Sequence, residues 1–239
     1  MRGLLWVTGI LALLWGGYWV VGSRGVQNAA EAWLAAQDGS GLEARHEGLS
    51  VSGFPNRFDL TISGLDLADP AAGLRWQTPF VQIFAMTWKP WHLIAALPEE
   101  QRFSLPGQEL TLKSTRLMGS LQLVPGTDLA LNETVAEIEG AELVSTLGWR
   151  LAAERLVAST RADPAQRNAH RIGLSVKSFA PDPALAATLG LPEAAEDIHL
   201  DATLSFSAPI DRHASQTRPR LQALDLAAAR LVWGDFKVF

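Results

Sequence analysis

The sequence predicts a mainly β protein: a long, twisted and curved antiparallel sheet, preceded by a transmembrane helix and an amphipathic helix. Three observations carry this reading. Residues 3–23 contain no charged side chain. From about residue 42 onward, apolar residues recur at every second position. Glycine and proline clusters punctuate that region at strand-length intervals.

The uncharged run comes first. Between Arg2 and Arg24 the chain is apolar, and 21 helical residues rise about 31 Å, enough to cross a bilayer core. Trp15, Tyr18 and Trp19 lie near one end, where aromatic side chains collect at membrane interfaces. A cleaved signal peptide is the alternative, with Val21 and Ser23 as small residues at its cleavage site. The run is longer than the usual apolar region of such a peptide, which favours an uncleaved anchor. The N-terminus is expected in the cytoplasm and the rest of the chain exported, on a single pass. Residues 1–24 form this anchor or signal peptide.

Residues 25–41 come next, as an amphipathic helix and linker. Val26, Ala29, Ala30, Trp33 and Leu34 make one apolar stripe at helical spacing. Gly39 and Gly41 are expected to end the helix. The polar face has no lysine or arginine, so the stripe is expected to cap the following sheet and not to lie on a lipid surface.

Residues 42–239 form the β domain. Phe58, Leu60 and Ile62 alternate with Arg57, Asp59, Thr61 and Ser63; Ile172, Leu174 and Val176, and Leu200, Ala202, Leu204 and Phe206, repeat the pattern. This is the period of half-buried antiparallel strands. Turn signals such as 53–55, 106–107, 125–126 and 181–183 delimit about ten strands. Residues 183–189 read as a second short helix. Leu65-Asp66-Leu67-Ala68 before Trp76 is echoed by Leu224-Asp225-Leu226-Ala227 before Trp233, which reads as a repeated strand, turn and second strand. The chain stops within a strand-like pattern at Phe236, Val238 and Phe239, so the domain is expected to continue beyond residue 239.

Composition narrows the function classes. The 239 residues are 48% hydrophobic and only 19% charged, with a net charge of −5. A basic stripe for nucleic acid is missing. There is no cysteine, which removes thiol catalysis, thiolate metal sites and disulfides. Residues 48–52 approach a nucleophile elbow but carry Ser52 where glycine is required, and they read as a strand. Asp197, His199 and Asp201 would share one strand face, and are read as a solvated face before a metal site. Glu137, Glu139 and Glu142 are read as an exposed strand edge. No catalytic residue, metal ligand or cofactor is predicted, and the chain is not expected to be an enzyme.

Residues 76–97 are the most informative stretch. Phe80, Phe84, Met86 and Trp88 share one face of an extended strand, while Val81, Ile83 and Ala85 share the other. Both faces are apolar, so the strand is buried on both sides or lines a groove. Trp88-Lys89-Pro90-Trp91 follows. A curved sheet with an uncovered apolar face is a trough that would favour acyl chains. The candidate lipid groove or partner patch is Phe58, Leu60, Ile62, Phe80, Phe84, Trp88 and Trp91. The expected partners are the inner membrane, through residues 3–23, and phospholipid or another envelope protein. In the alternative, the apolar faces close as a dry sandwich or barrel, and the chain is a structural or interaction module of an envelope complex.

Residues 48–60, Gly-Leu-Ser-Val-Ser-Gly-Phe-Pro-Asn-Arg-Phe-Asp-Leu, resemble an uncharacterised family of membrane-anchored Gram-negative envelope proteins, the domain of unknown function 2125. The anchor with its Trp-containing helix, the Trp88–Trp91 region, residues 189–192 and residues 231–234 are similar to the same family. The resemblance implies the anchor-then-sheet layout and no transferable activity. More loosely, that layout is similar to AsmA-like proteins, elongated grooved sheets linked to envelope lipid transport, an analogy of architecture alone.

Overall fold

A computed structural model of the chain describes residues 2–38, 41–190 and 192–238. Helix α1 (Arg2–Asp38) is continuous. The expected anchor and amphipathic helix are therefore one rod of about 55 Å at 1.5 Å per residue. Gly39, one of the two residues expected to stop it, lies outside the described residues.

The strands are β1 (Glu43–Arg45), β2 (Gly48–Ser52), β3 (Arg57–Asp69), β4 (Leu74–Met86), β5 (Lys89–Leu97), β6 (Glu100–Leu105), β7 (Gln108–Lys113), β8 (Arg116–Leu123), β9 (Leu131–Ser145), β10 (Arg150–Ala162), β11 (Ala169–Phe179), β12 (Ala195–Phe206), β13 (Leu221–Trp233) and β14 (Phe236–Val238). All belong to one sheet, and every pairing is antiparallel. The short helices α2 (Pro183–Leu189) and α3 (Ala214–Thr217) sit in the connections before β12 and β13. Asp182 caps α2, accepting from the backbone N–H of Ala184 and Leu185.

The fourteen segments reduce to ten rungs and a stub, because three rungs are split. β1 and β2 run in series along β3, β5 and β6 along β4, and β7 and β8 along β9. The splits fall in one line across the sheet. They meet Gly64, opposite Pro79, in the β3–β4 pair, where neither residue has a partner in the register. They meet Gly140 in β9, again outside the register. Gly64 and Gly140 have φ of 57° and 58°, the bulge conformation that glycine adopts without strain. A Cβ on Gly64 would lie 2.5 Å from the Glu47 side chain. At this line the ladder is interrupted without a change of register, since Ser63 pairs with Phe80 and Leu65 with Thr78 on either side of it.

Pairing fixes one continuous inner face. Leu60 stands opposite Ile83, Ala85 opposite Leu93, and Leu93 opposite Leu121. Beyond β9 the same face carries Leu156 and Val176, Ile198, then Leu231. Helix α1 packs at the β1–β4 end, where Leu34, Leu60, Ile62 and Leu65 form a buried cluster with Val26 and Ala30 against it. The stripe at helical spacing thus caps the sheet, as expected. No second sheet covers the remainder among the described residues. On the final long strand Leu221, Leu224 and Leu226 are more than half exposed.

The outer face carries ion pairs. Glu137 meets both Arg116 and Arg155, Glu133 meets Arg161, and Asp197 meets Lys177 at 2.6 Å and Arg230 at 3.5 Å. Two readings change here. Glu137, Glu139 and Glu142 are not on a strand edge: β9 is flanked by strands on both sides, Glu137 pairs with Arg116 of β8 and Arg155 of β10, Glu139 with Arg116, and Glu142 stands opposite Lys113 of β7. The Leu-Asp-Leu-Ala echo is not a structural repeat. The first copy ends β3 before a turn, whereas residues 224–233 run unbroken within β13.

Candidate functional site

The inner face holds a groove of about 680 Å³, and every residue lining it is apolar. One wall is α1, through Val26, Ala29, Ala30 and Trp33; the floor is β3, β4, β5 and β8, through residues such as Leu60, Ile83, Leu93 and Leu121. Strand alternation presents these side chains to one side, and the register lines them up across four strands. A second cavity of about 520 Å³ shares Trp33, Leu67 and Trp76 with the first and extends it over Phe103, Leu105 and Leu110. The indole N–H of Trp76 is satisfied by Gln101 Oε1 at 3.0 Å, so this tryptophan offers the groove an apolar ring. The first groove can hold an elongated apolar ligand; the second cavity is lined in addition by Gln37, Asp69, Arg75 and Ser104.

The predicted site residues divide between the two faces. Phe58, Leu60 and Ile62 line the groove with Val81, Ile83 and Ala85. Phe80 and Phe84 do not: they stand opposite Ser63 and Asp59, on the outer face, where the Arg57 guanidinium lies 5.7 Å over the Phe84 ring. Trp88 is in the β4–β5 turn and 57% exposed. Trp91 falls in the irregular stretch of β5 between Lys89 and Leu93 and is outside the groove lining. The seven residues therefore form no single patch. The physical reason is that β4 is apolar on both faces, so its larger aromatics do not reveal which side α1 covers. Leu93 and Leu121 went unrecognised because only the register places them beside Ala85.

The remaining candidates are placed as follows. Ser50 and Ser52 of β2 are exposed. Asp197, His199 and Asp201 lie on the outer face, and the Lys177 and Arg230 cations hold the Asp197 carboxyl below the usual range.

The end of the sheet at the β2–β3 and β4–β5 turns is tied to α1. Trp15 Nε1 donates to Pro55 O at 3.0 Å, Tyr18 Oη to Thr87 O at 2.6 Å, and Trp19 Nε1 to Arg57 O at 2.7 Å. Phe58 packs so closely on the helix that a Cβ at Gly22 would lie 2.5 Å from its ring.

Two kinds of titrating group link stability to pH. Burial pushes the His170 imidazole below its ordinary value, with Nδ1 unpartnered and the ring edge-on to Phe206. The hydrogen bond from Arg75 holds the Asp66 carboxyl low. In both, the unfolded chain takes up the proton at a higher pH than the fold does, so stability rises with pH across that interval. Stability is full above about pH 6.5, declines first as the histidine protonates, and declines again below about pH 4 as the carboxylate does. His170→Leu should remove the first decline and leave the second, as read by denaturant unfolding in micelles from pH 7.5 to 3.

A family model described as an uncharacterized protein conserved in bacteria (DUF2125) matches residues 19–239. No curated protein and no solved structure matches the chain.

Proposed function

The chain belongs to this family of uncharacterized bacterial proteins, and from that footing we propose that it is a single-pass, membrane-anchored envelope protein that binds lipid acyl chains in the trough between α1 and the sheet. The protein is non-catalytic in this reading, its β domain is periplasmic, and its role is to hold lipid or help move it along the sheet.

The observation that carries the proposal is the lining of the groove: an all-apolar channel, bounded by the helix on one side and open along the rest of the inner face. Water in such a channel is unfavourable, and each methylene that replaces it gains about 0.8 kcal/mol. Two further observations support the anchor. The first half of α1 is long and apolar enough to cross a membrane and is unburied by the protein, with Leu4, Leu5 and Leu13 each more than 70% exposed. A soluble protein would leave a patch of that size uncovered only at a cost. Cleavage near Ser23 would also remove Trp15, Tyr18, Trp19 and Gly22, all of which contact the β domain.

The test is native mass spectrometry of the full chain, released from mild detergent, with the bound lipid extracted and identified. The proposal expects a phospholipid that survives detergent exchange, at about one or two molecules per chain. A bare mass after purification from its own membrane would overturn it. A second reading has its own observation: the exposed leucines of β13 would suit an envelope protein docking along that strand. In that case a protein partner co-purifies and lipid does not.

A further inference from the structure

We infer that the two sheet turns tied to α1, residues 53–56 and 87–88, dip into the bilayer that the helix crosses. The partner surface is lipid, and the contact is made by Phe54 and Trp88. The inference rests on the membrane-spanning reading of α1 and is independent of what the groove binds.

Depth is the first argument. Trp15, Tyr18 and Trp19 lie within the uncharged run that ends before Arg24. Trp15 precedes Arg24 by nine residues, about 13 Å along the axis. A headgroup layer is only about 5–8 Å thick. A turn bonded to Trp15 therefore sits at the level of the upper acyl chains when Arg24 is among the headgroups.

Chemistry is the second argument. Carbonyls at that depth have no water to bond and cost several kcal/mol each if unpaired. Pro55, Arg57 and Thr87 each direct a carbonyl to a helix donor, and the three donors are an indole, an indole and a phenol. These side chains combine an apolar body with one polar atom and belong to membrane interfaces. Within the turns, the Asn56 and Arg57 N–H groups bond Gly53 O, and Thr87 N bonds Asn56 O at 3.0 Å. Each turn exposes one large ring, Phe54 at 62% and Trp88 at 57%; Asn56 and Arg57, also exposed, are polar side chains that must reach up to the headgroups. A wholly aqueous turn would have no reason to present two large rings while meeting its carbonyls from a membrane helix.

The chain contains no cysteine, so single labels are simple to place. Phe54→Cys, Trp88→Cys, Leu11→Cys and Leu147→Cys in the full chain carry a fluorophore in nanodiscs of phosphatidylethanolamine and phosphatidylglycerol. The quencher is a nitroxide on the lipid acyl chain, with iodide as the aqueous counterpart. Leu11 reports the middle of the span, and Leu147, 66% exposed in the turn at the far end of the sheet, reports water. All four side chains are largely exposed; Phe54→Cys gives up an edge-on contact with Trp19, so its circular dichroism spectrum is compared with that of the unsubstituted chain. The expected result is lipid-borne quenching at 54 and 88 several-fold above that at 147, with iodide protection to match. Labels at 54 and 88 that behave like 147, while 11 is quenched, would overturn the insertion and leave the anchor standing. An unquenched label at 11 would overturn both.

Discussion

Leu60→Asp abolishes cooperative folding of the β domain. Leu60 is 6% exposed and lies in a buried cluster that joins helix to sheet, with Leu34, Ile62 and Leu65. Truncation to alanine at such a site costs about 2–5 kcal/mol in lost transfer energy and residual cavity. A carboxylate adds the desolvation of a buried charge with no cation beside it. A typical domain has only about 5–15 kcal/mol to lose. Leu34→Ala should cost about as much as Leu60→Ala, and the double variant less than their sum, because the side chains touch. Circular dichroism and denaturant titration of the full chain in micelles read both. Equal, additive and small losses would mean that the helix is not part of the folded core.

Leu121→Asp leaves the fold intact and empties the groove. Leu121 is half-buried on the inner face and lines the channel with Leu93. Its carboxylate can reach water when the groove is empty, so folding bears a modest cost. A bound acyl chain would exclude that water and strand the charge, at about 3 kcal/mol or more, which is about two orders of magnitude in affinity. The adjacent residue, Gln122, points to the opposite face of β8 by strand alternation. Gln122→Asp makes a similar change in charge and sequence position with no expected effect on lipid. Phe84→Asp belongs with this control, because its ring lies on the outer face under Arg57.

Much of the fold was legible from local pattern. Period-two alternation in residues 57–63, 171–177 and 200–206 marks strands whose polar sides end up on the ion-paired face. The turn residues suggest about ten strands; fourteen form, because three rungs are broken in two and the stub β14 is added. Those breaks arise where Gly64 meets Pro79 and Gly140 meets Thr115, contacts between rungs that no single segment contains. The continuity of α1 was hidden because its composition changes at Arg24 while its backbone does not.

The site was half legible for a related reason. Alternation assigns residues of one strand to two faces but does not say which face is covered. In β3 the polar partners decide it, and Phe58, Leu60 and Ile62 line the groove. In β4 both faces are apolar, and only the pairing of Leu60 with Ile83 decides it. The sequence leads one to expect Trp15, Tyr18 and Trp19 at a membrane interface; that their polar atoms hold two sheet turns depends on contacts 38 to 69 residues away in sequence.

The central claim, that the inner face is a lipid trough, is tested most directly by comparing bound lipid on Leu121→Asp and Gln122→Asp with the unsubstituted chain, all full length and purified alike. Phospholipid is expected on the unsubstituted chain and on Gln122→Asp, and a bare mass for Leu121→Asp with an unchanged circular dichroism spectrum. Lipid retained equally by both variants, or found on none of the three proteins, would contradict it.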